Sequence, residues 1–346
     1  MKNKKKVSVV IIARNEEENI ERCLNSVLKS IENFESKEII IVDSFSEDRT
    51  LEIIKDVIKE KGEASWIKIL ELKKFYRKED YYFGNASASR NFGFKNSSGE
   101  YVQFLDGDMT LDEKWLTRAV SFLERKENIE KKIVAVSGLI TQNKTKDYYL
   151  KKFGENLENF TRTKTPREIK TLFGAFIIKA EILREVGLFN PNIKMVEEGE
   201  LSDRLTSLSY RIFLLPYPMA CHFVEEEPQG LMKNLKKRFM FSFSEGQVFR
   251  ASLFRKKFFY RTKMYISHII STLFFLLILS LLLFLNFSSF FFFFLFLCIV
   301  LNIGVLVLKE KNYKSATFFF LSYLFSWIFF IIGFIFGIKG GEKNER

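Results

Sequence analysis

Histidine is almost missing from this chain, with His222 and His268 the two among 346 residues. Histidine-based metal clusters and histidine-driven nucleophilic triads are therefore nearly excluded. Cysteine is scarce as well. Cys23, Cys221 and Cys298 are scattered, with no CxxC pair and no even framework. That argues against a disulfide scaffold or a zinc site and fits a reducing compartment. The start, MKNKKKVSVVIIARNE, is basic, but its apolar run is too short for a secretion signal and stops at Asn15-Glu16-Glu17-Glu18. Between Met264 and Leu308 charge itself is lacking, because His268 is the one titratable side chain there that can carry a positive charge.

What is present is length, phenylalanine and positive charge. The 346 residues suffice for one large α/β domain and something more. Phenylalanine reaches 40, concentrated towards the C-terminus, and the formal net charge is +12. The lysines are spread along the chain, and their densest cluster abuts an apolar region. Anionic membrane lipid is thus the expected partner and nucleic acid is not.

Continuous apolar runs mark buried parallel strands at Val7–Ile12, Glu38–Val42, Trp66–Leu70 and Tyr101–Leu105. Helical spacing follows the first run at Ile20, Cys23, Leu24, Val27 and Leu28, and the second through Leu51, Ile54, Val57 and Ile58, with Ser46 a natural N-cap. Ala86–Lys95 reads as a helix. Further strands are expected at Ile133–Val136, Thr171–Ile178 and Arg211–Leu214, and a helix from Met195 to about Ser209. This alternation predicts a doubly wound, mostly parallel α/β sheet. The strand at Tyr101 ends abruptly in Asp106-Gly107-Asp108. Two carboxylates one residue apart, at the C-terminal end of a parallel strand, stand where open sheets bind ligands. They are hard oxygen donors suited to Mg²⁺ or Mn²⁺ carrying a diphosphate. Taken alone, Asp-Gly-Asp is equally an ordinary polar turn.

From Gly230 the texture changes. Lys233, Lys236, Lys237, Arg238, Arg250, Arg255, Lys256, Lys257, Arg261 and Lys263 alternate with Leu and Phe, as in an amphipathic segment lying on lipid over 229–263. Beyond it, 264–338 is long and apolar enough for about three membrane spans, 264–285, 289–308 and 316–338, before a polar tail at 339–346. The expected arrangement is a membrane protein of several passes with residues 1–228 cytoplasmic.

Four stretches, VSVVIIARNEEENIERCLNSV, EIIIVDSFSEDRT, SASRNFGFKNSSGEYVQFLDGDM and FGAFIIKAEILREVGLFNPNIKMVEEGELSDRL, resemble, in order, the signatures of family-2 glycosyltransferases of the GT-A fold. The resemblance covers roughly residues 7–222. It implies a GT-A-like sheet, followed here by an all-α membrane region, and transfer of sugar from a nucleotide-sugar donor with Mn²⁺ or Mg²⁺ as cofactor. It places Asn15, Glu17, Asp43 and Arg90 on the nucleotide, and Asp106 on the ribose and the metal shell. Asp108 would bind the metal directly and His222 would complete its site. Glu198 would be the general base, or Glu197 one residue before it. Where many members have two acids in a row, Ser44 follows Asp43. The Gln-x-x-Arg-Trp motif of processive members is absent, since Leu235-Lys236-Lys237-Arg238-Phe239 stands in its place. Single additions to a lipid-linked or membrane-associated acceptor are therefore expected. A sugar hydroxyl needs a base, whereas a polyprenyl phosphate does not, so an intact Glu198 leans towards the hydroxyl. A non-catalytic binding subunit is disfavoured because neither Asp108 nor the Glu197/Glu198 pair is lost. A transporter is disfavoured because the apolar spans lack charges to line a path.

Overall fold

The structure is a computed structural model, which describes residues 3–62, 65–76, 85–142, 165–193, 195–223, 231–252 and 329–335. The chain divides into two compact units, Met1–Glu227 with Gly341–Arg346, and Pro228–Gly340.

The first unit is built on a nine-stranded sheet. Its strands are β1 (Val7–Ala13), β2 (Lys37–Asp43), β3 (Ile67–Glu71), β4 (Tyr101–Asp106), β5 (Met109–Leu111), β6 (Ile133–Gln142), β7 (Arg167–Ile169), β8 (Phe176–Lys179) and β9 (Arg211–His222). The order is β3-β2-β1-β4-β8-β6-β9-β5, with β7 also on β9. β1 pairs in parallel with β2 and β4, and β2 with β3. β1 and β2 are rich in Val and Ile, and β1, β2 and β4 are almost wholly buried, because both faces are covered. One cluster, centred on Val9, Ile11, Ile39 and Leu105, packs beneath α1 (Ile20–Ile31), α2 (Thr50–Glu60) and α4 (Trp115–Leu123). The other, with Val10, Ile40, Phe104 and Phe176, packs against α3 (Ala86–Lys95), α6 (Ala180–Glu185) and α7 (Glu197–Ser207). The short α5 (Lys126–Glu130) precedes β6.

The sheet is mixed rather than uniformly wound. β8 lies antiparallel between β4 and β6, and it is shorter than the expected 171–178 strand. β9 runs unbroken through Pro216 and Pro218, although the expected strand ended at Leu214. On one side of β9, β7 pairs with Ile212–Leu214 and β5 with Ala220–His222, so the prolines fall between partners. The register with β6 shifts there too. A strand tolerates proline where no ladder bond is needed. Ser46 does not cap α2. The helix starts at Thr50, whose amide donates to Asp48 Oδ1 at 3.0 Å, while Ser46 Oγ accepts from the Asn15 amide instead.

In the second unit, α8 (Leu231–Ser252) is the long described element. Its Phe239 stacks on Phe329 of the 329–335 helix, Phe249 meets Phe330 at a tilt, and Gly246 and Gly333 let the two backbones touch. Among the described residues no helix is long and apolar enough to cross a membrane. The expected spans lie outside the described residues apart from 329–335, as do parts of the 229–263 segment.

Candidate active site

The C-terminal ends of β1, β2 and β4 carry the site. At β4 the chain turns through Asp106-Gly107-Asp108 into β5. Gly107 sits in a tight place: a Cβ there would lie 3.1 Å from Ala13 Cβ and 3.2 Å from Glu16 Cγ. β5 then pairs antiparallel with the end of β9, setting Met109 opposite His222. That register brings together two residues far apart in sequence. Asp108 Oδ2 lies 2.8 Å from His222 Nε2, and the Phe223 amide donates to the Asp108 carbonyl at 2.9 Å. The other carboxylate oxygen, Asp108 Oδ1, is buried and meets no hydrogen-bond partner among the described residues.

Arg90 is the electrostatic centre. It projects from α3, is 2% exposed, and has three carboxylates around its guanidinium. Asp106 Oδ1 accepts at 2.8 Å, Glu197 Oε1 at 2.5 Å, and Glu198 Oε1 lies 3.2 Å away. Burial disfavours the cation, but Asp106, Glu198 and Glu197 outweigh it and hold Arg90 protonated. The Phe189 ring lies 5.7 Å from the guanidinium, fixed by a reciprocal pair of bonds between its backbone and the Asn91 amide group. The resemblance placed Arg90 on the nucleotide. In the structure its guanidinium lies between Asp106 on one side and Glu197 and Glu198 on the other.

Glu197 and Glu198 open α7, immediately after Val196 at φ +57°, a strained geometry for a β-branched residue. The Ser202 hydroxyl bridges this turn, donating to the Glu198 carbonyl and accepting from the Leu172 amide. Burial and Glu197 push the Glu198 pKa up to about 7 against the pull of Arg90. Burial likewise raises Asp106, with Arg90 opposing and Asp108 adding. A Cβ at Gly174 would sit 3.6 Å from Asp106 Oδ2 and 3.9 Å from Glu198 Oε1, so these two acids face each other across a residue without a side chain.

At the other end, Asp43 is fully buried and neither of its oxygens completes a hydrogen bond among the described residues. Burial raises its pKa. Asn15 and Glu17 tie one loop to the next: Asn15 Oδ1 accepts from the Glu47 amide at 2.9 Å and Glu17 Oε2 from the Arg49 amide at 3.1 Å. Between them, Glu16 was not anticipated. Its carboxyl is pushed to about 7 by burial, with Asn19 opposing and Asp108 and Asp106 adding. Nothing in the sequence separates it from its acidic neighbours.

The residues fit a divalent metal. Asp108 and His222 supply an oxygen and a nitrogen side by side, with an unpaired Asp108 oxygen to spare. Among the described residues no three acidic, histidine or cysteine side chains form a cage on their own. Mg²⁺-type sites use one or two protein groups and take the rest from phosphate and water, so two donors suffice.

Comparison with known proteins places the chain among glycosyltransferases. AglE of Haloferax volcanii, a glycosyltransferase, is 28% identical over 251 residues, covering 70% of this chain and 73% of AglE. The dolichyl N-acetyl-alpha-D-glucosaminyl phosphate 3-beta-D-2,3-diacetamido-2,3-dideoxy-beta-D-glucuronosyltransferase of Methanococcus voltae is 30% identical over 136 residues, 39% of either chain. The chain thus spans well under half the length of that relative. In fold it is similar to the mannosyltransferase PcManGT from Pyrobaculum calidifontis, solved with GDP-Man and Mn²⁺. The TM-score is 0.64 at 16% identity, over 96% of this chain and 88% of that one. The sequence pattern of glycosyl transferase family 2 matches residues 8–186, more than half of the chain, and the chain belongs to that family.

Proposed function

We propose that this family-2 glycosyltransferase moves one sugar, with inversion and with a divalent metal, from a nucleotide-sugar donor to a hydroxyl of a lipid-linked glycan. The observation that carries the reading is Glu198: a carboxyl with a pKa of about 7 facing Asp106 across Gly174. A group poised near neutrality is suited to general-base work. Glu198 takes the proton of the acceptor hydroxyl. The acceptor oxygen forms a bond to the anomeric carbon from the face opposite the donor phosphate. The bond from that carbon to the phosphate oxygen breaks, and its electron pair leaves with the nucleoside diphosphate. Arg90 keeps the acids of both sides in register, and Asp43 meets the nucleoside. Asp108 and His222 would hold the metal, which when bound offsets charge on the departing diphosphate.

The Methanococcus voltae relative, whose name specifies a dolichyl phosphate-linked sugar as acceptor, supports a lipid-linked acceptor here. The basic residues around 233–263 and the uncharged stretch from 264 to 308 support attachment to an anionic membrane with residues 1–228 on the cytoplasmic side.

The test is a donor screen with the full chain in detergent. UDP- and GDP-linked sugars are supplied with Mn²⁺ or Mg²⁺ and nucleoside diphosphate release is scored. One donor should be turned over, and turnover should vanish with chelator or in Asp108→Ala. Undiminished turnover in both would remove the metal from the mechanism. Turnover untouched in both Glu198→Gln and Glu197→Gln would point to a phosphate acceptor.

A further inference from the structure

Two large rings stand in water at the C-terminal end of β3. The strand passes into a single 3-10 turn, Leu72–Lys74, whose Leu72 is fully buried in the core. The Leu72 carbonyl accepts from the Phe75 and Tyr76 amides, both at 3.0 Å, so the turn is fixed from beneath. Both rings lean on Phe92 of α3, Phe75 at 5.0 Å and Tyr76 at 5.7 Å between ring centroids. They remain 59% and 42% exposed. Rings held side by side on a fixed turn mark a contact surface, where one scattered ring would not.

The surroundings of these rings are basic. Lys55, Lys73 and Lys74 stand 3.7, 3.6 and 2.7 Å from one carboxylate, Glu71. The lysine side chains are exposed and Glu71 is buried, so three cations at the surface answer to one acid beneath it. Aromatic rings beside lysines suit a membrane interface. The rings settle at the level of the headgroups, and the ammonium groups meet anionic lipid.

The sheet topology favours lipid over an acidic protein partner. β1, β2, β3 and β4 run parallel, β8 runs against β4 and β6, and β9 runs with β6. The C-terminal ends of β3, β4 and β9 therefore share one rim. β3 forms one edge of the sheet, and β9 lies beside the strand at the other. The chain leaves the sheet at His222, the end of β9, and soon enters the basic 229–263 stretch. Asp106, at the end of β4, lies between these two points.

We propose that Lys73, Lys74, Phe75 and Tyr76 form a second contact with anionic membrane lipid, across the cleft from the point where the chain leaves the sheet. This rests on the membrane attachment proposed above and adds to it a seat on the first unit itself. Lipid contact on both sides of Asp106 would turn the cleft toward the surface that holds a lipid-linked acceptor.

The test places the full chain, on a background free of native cysteine, in nanodiscs of mixed phosphatidylcholine and phosphatidylglycerol. A bimane label is carried at Phe75→Cys or Tyr76→Cys. Leu208→Cys is the comparison, because Leu208 is 53% exposed and precedes β9, on the opposite rim. A lipid nitroxide just below the headgroups should quench the label at 75 and at 76 and leave 208 bright. Lys73→Gln and Lys74→Gln should each lower the ratio of quenched to unquenched label roughly fivefold. Labels at 75 and 76 as bright as at 208 would overturn the proposal. So would labels there shielded from aqueous iodide as well as from the lipid nitroxide, which would mean a protein cover. Quenching undiminished in phosphatidylcholine alone would remove the lysines from the contact and overturn the proposal as stated. If the full chain does not enter nanodiscs at all, the membrane attachment itself falls and takes this inference with it. Melting temperatures identify any variant that fails to fold, and the other label position then decides.

Discussion

Glu198→Gln should leave the protein more stable at alkaline pH and nearly inactive. The Glu198 carboxyl is raised from 4.5 to about 7 by burial and by Glu197, with Arg90 opposing. Each unit corresponds to 1.36 kcal/mol, so keeping this group ionised above pH 8 costs the fold about 3 kcal/mol. Because the folded value lies above the unfolded one, the cost is absent below pH 4.5. It grows as pH rises and is complete above about 7. Glutamine matches the side chain in size and carries no charge, while Arg90 keeps Asp106 and Glu197. The variant should melt several degrees above the unsubstituted protein at pH 8.5, at roughly 2–4 °C per kcal/mol, and level with it near pH 4.5. Turnover at saturating donor should fall roughly 10²–10⁴-fold, because glutamine cannot accept the acceptor's proton. Melting curves at the two pH values, run beside nucleoside diphosphate release, provide both readings. Equal melting at both pH values, or a lower melting point at pH 8.5, would show that Glu198 is not held ionised at a cost, and the base assignment would lose its footing.

The other expectations concern charge and placement. His222→Ala should weaken Mn²⁺-dependent turnover and raise the metal concentration needed for half-maximal rate, without moving the melting temperature by more than a degree or so; an unchanged metal requirement would take His222 out of the site. Arg90→Met strands Asp106, Glu197 and Glu198 without their cation and should destabilise by about 3–5 kcal/mol, read by urea unfolding at pH 8. Near-neutral stability there would contradict the hub. Glu38 accepts from Ser8 Oγ at 2.6 Å and from Ser98 Oγ at 3.0 Å, and although burial opposes, these bonds hold its pKa below the usual value. Its contribution is therefore present above about pH 4.5 and lost as pH falls, so Glu38→Gln should melt below the unsubstituted protein at pH 7 and converge with it near pH 3. On a background free of native cysteine, Ser288→Cys should label from outside with an impermeant reagent, and Asn312→Cys and Glu47→Cys only after permeabilisation. Exterior labelling at position 47 would overturn the cytoplasmic placement.

The strands that carry the site were legible because each is a mostly apolar run cut off by polar residues. Val7–Ala13, Lys37–Asp43 and Tyr101–Asp106 all show this, since a strand covered on both faces leaves no room for alternation. β5 was not legible: three residues between an Asp-Gly-Asp turn and an Asp give no periodicity. Nor was the length of β9, where Pro216 and Pro218 read as breaks until the gap between β7 and β5 shows why they are tolerated. Without β5 and β9, the meeting of Asp108 with His222 has no local signal, because it depends on a pairing register across more than a hundred positions. The Ser46 cap failed for a related reason. A serine before a helix satisfies whichever amide is nearest, and here that amide comes from another loop.

Arg90 shows how far residue type alone can carry a reading. A guanidinium suits a diphosphate and a cluster of carboxylates equally well, and the sequence does not choose between them. The fold buries it. At 2% exposure, Arg90 has Asp106, Glu197 and Glu198 around it. One positive charge among three carboxylates leaves the cleft negative, and Glu16 and Asp108 stand close by. A bare diphosphate entering such a cleft would be repelled, and no described arginine or lysine is seen bonding at Asp106 or Asp108 apart from Arg90. On the function proposed above, that acidic excess means that a diphosphate would enter accompanied by positive charge, with Asp108 and His222 as the pair that would receive it.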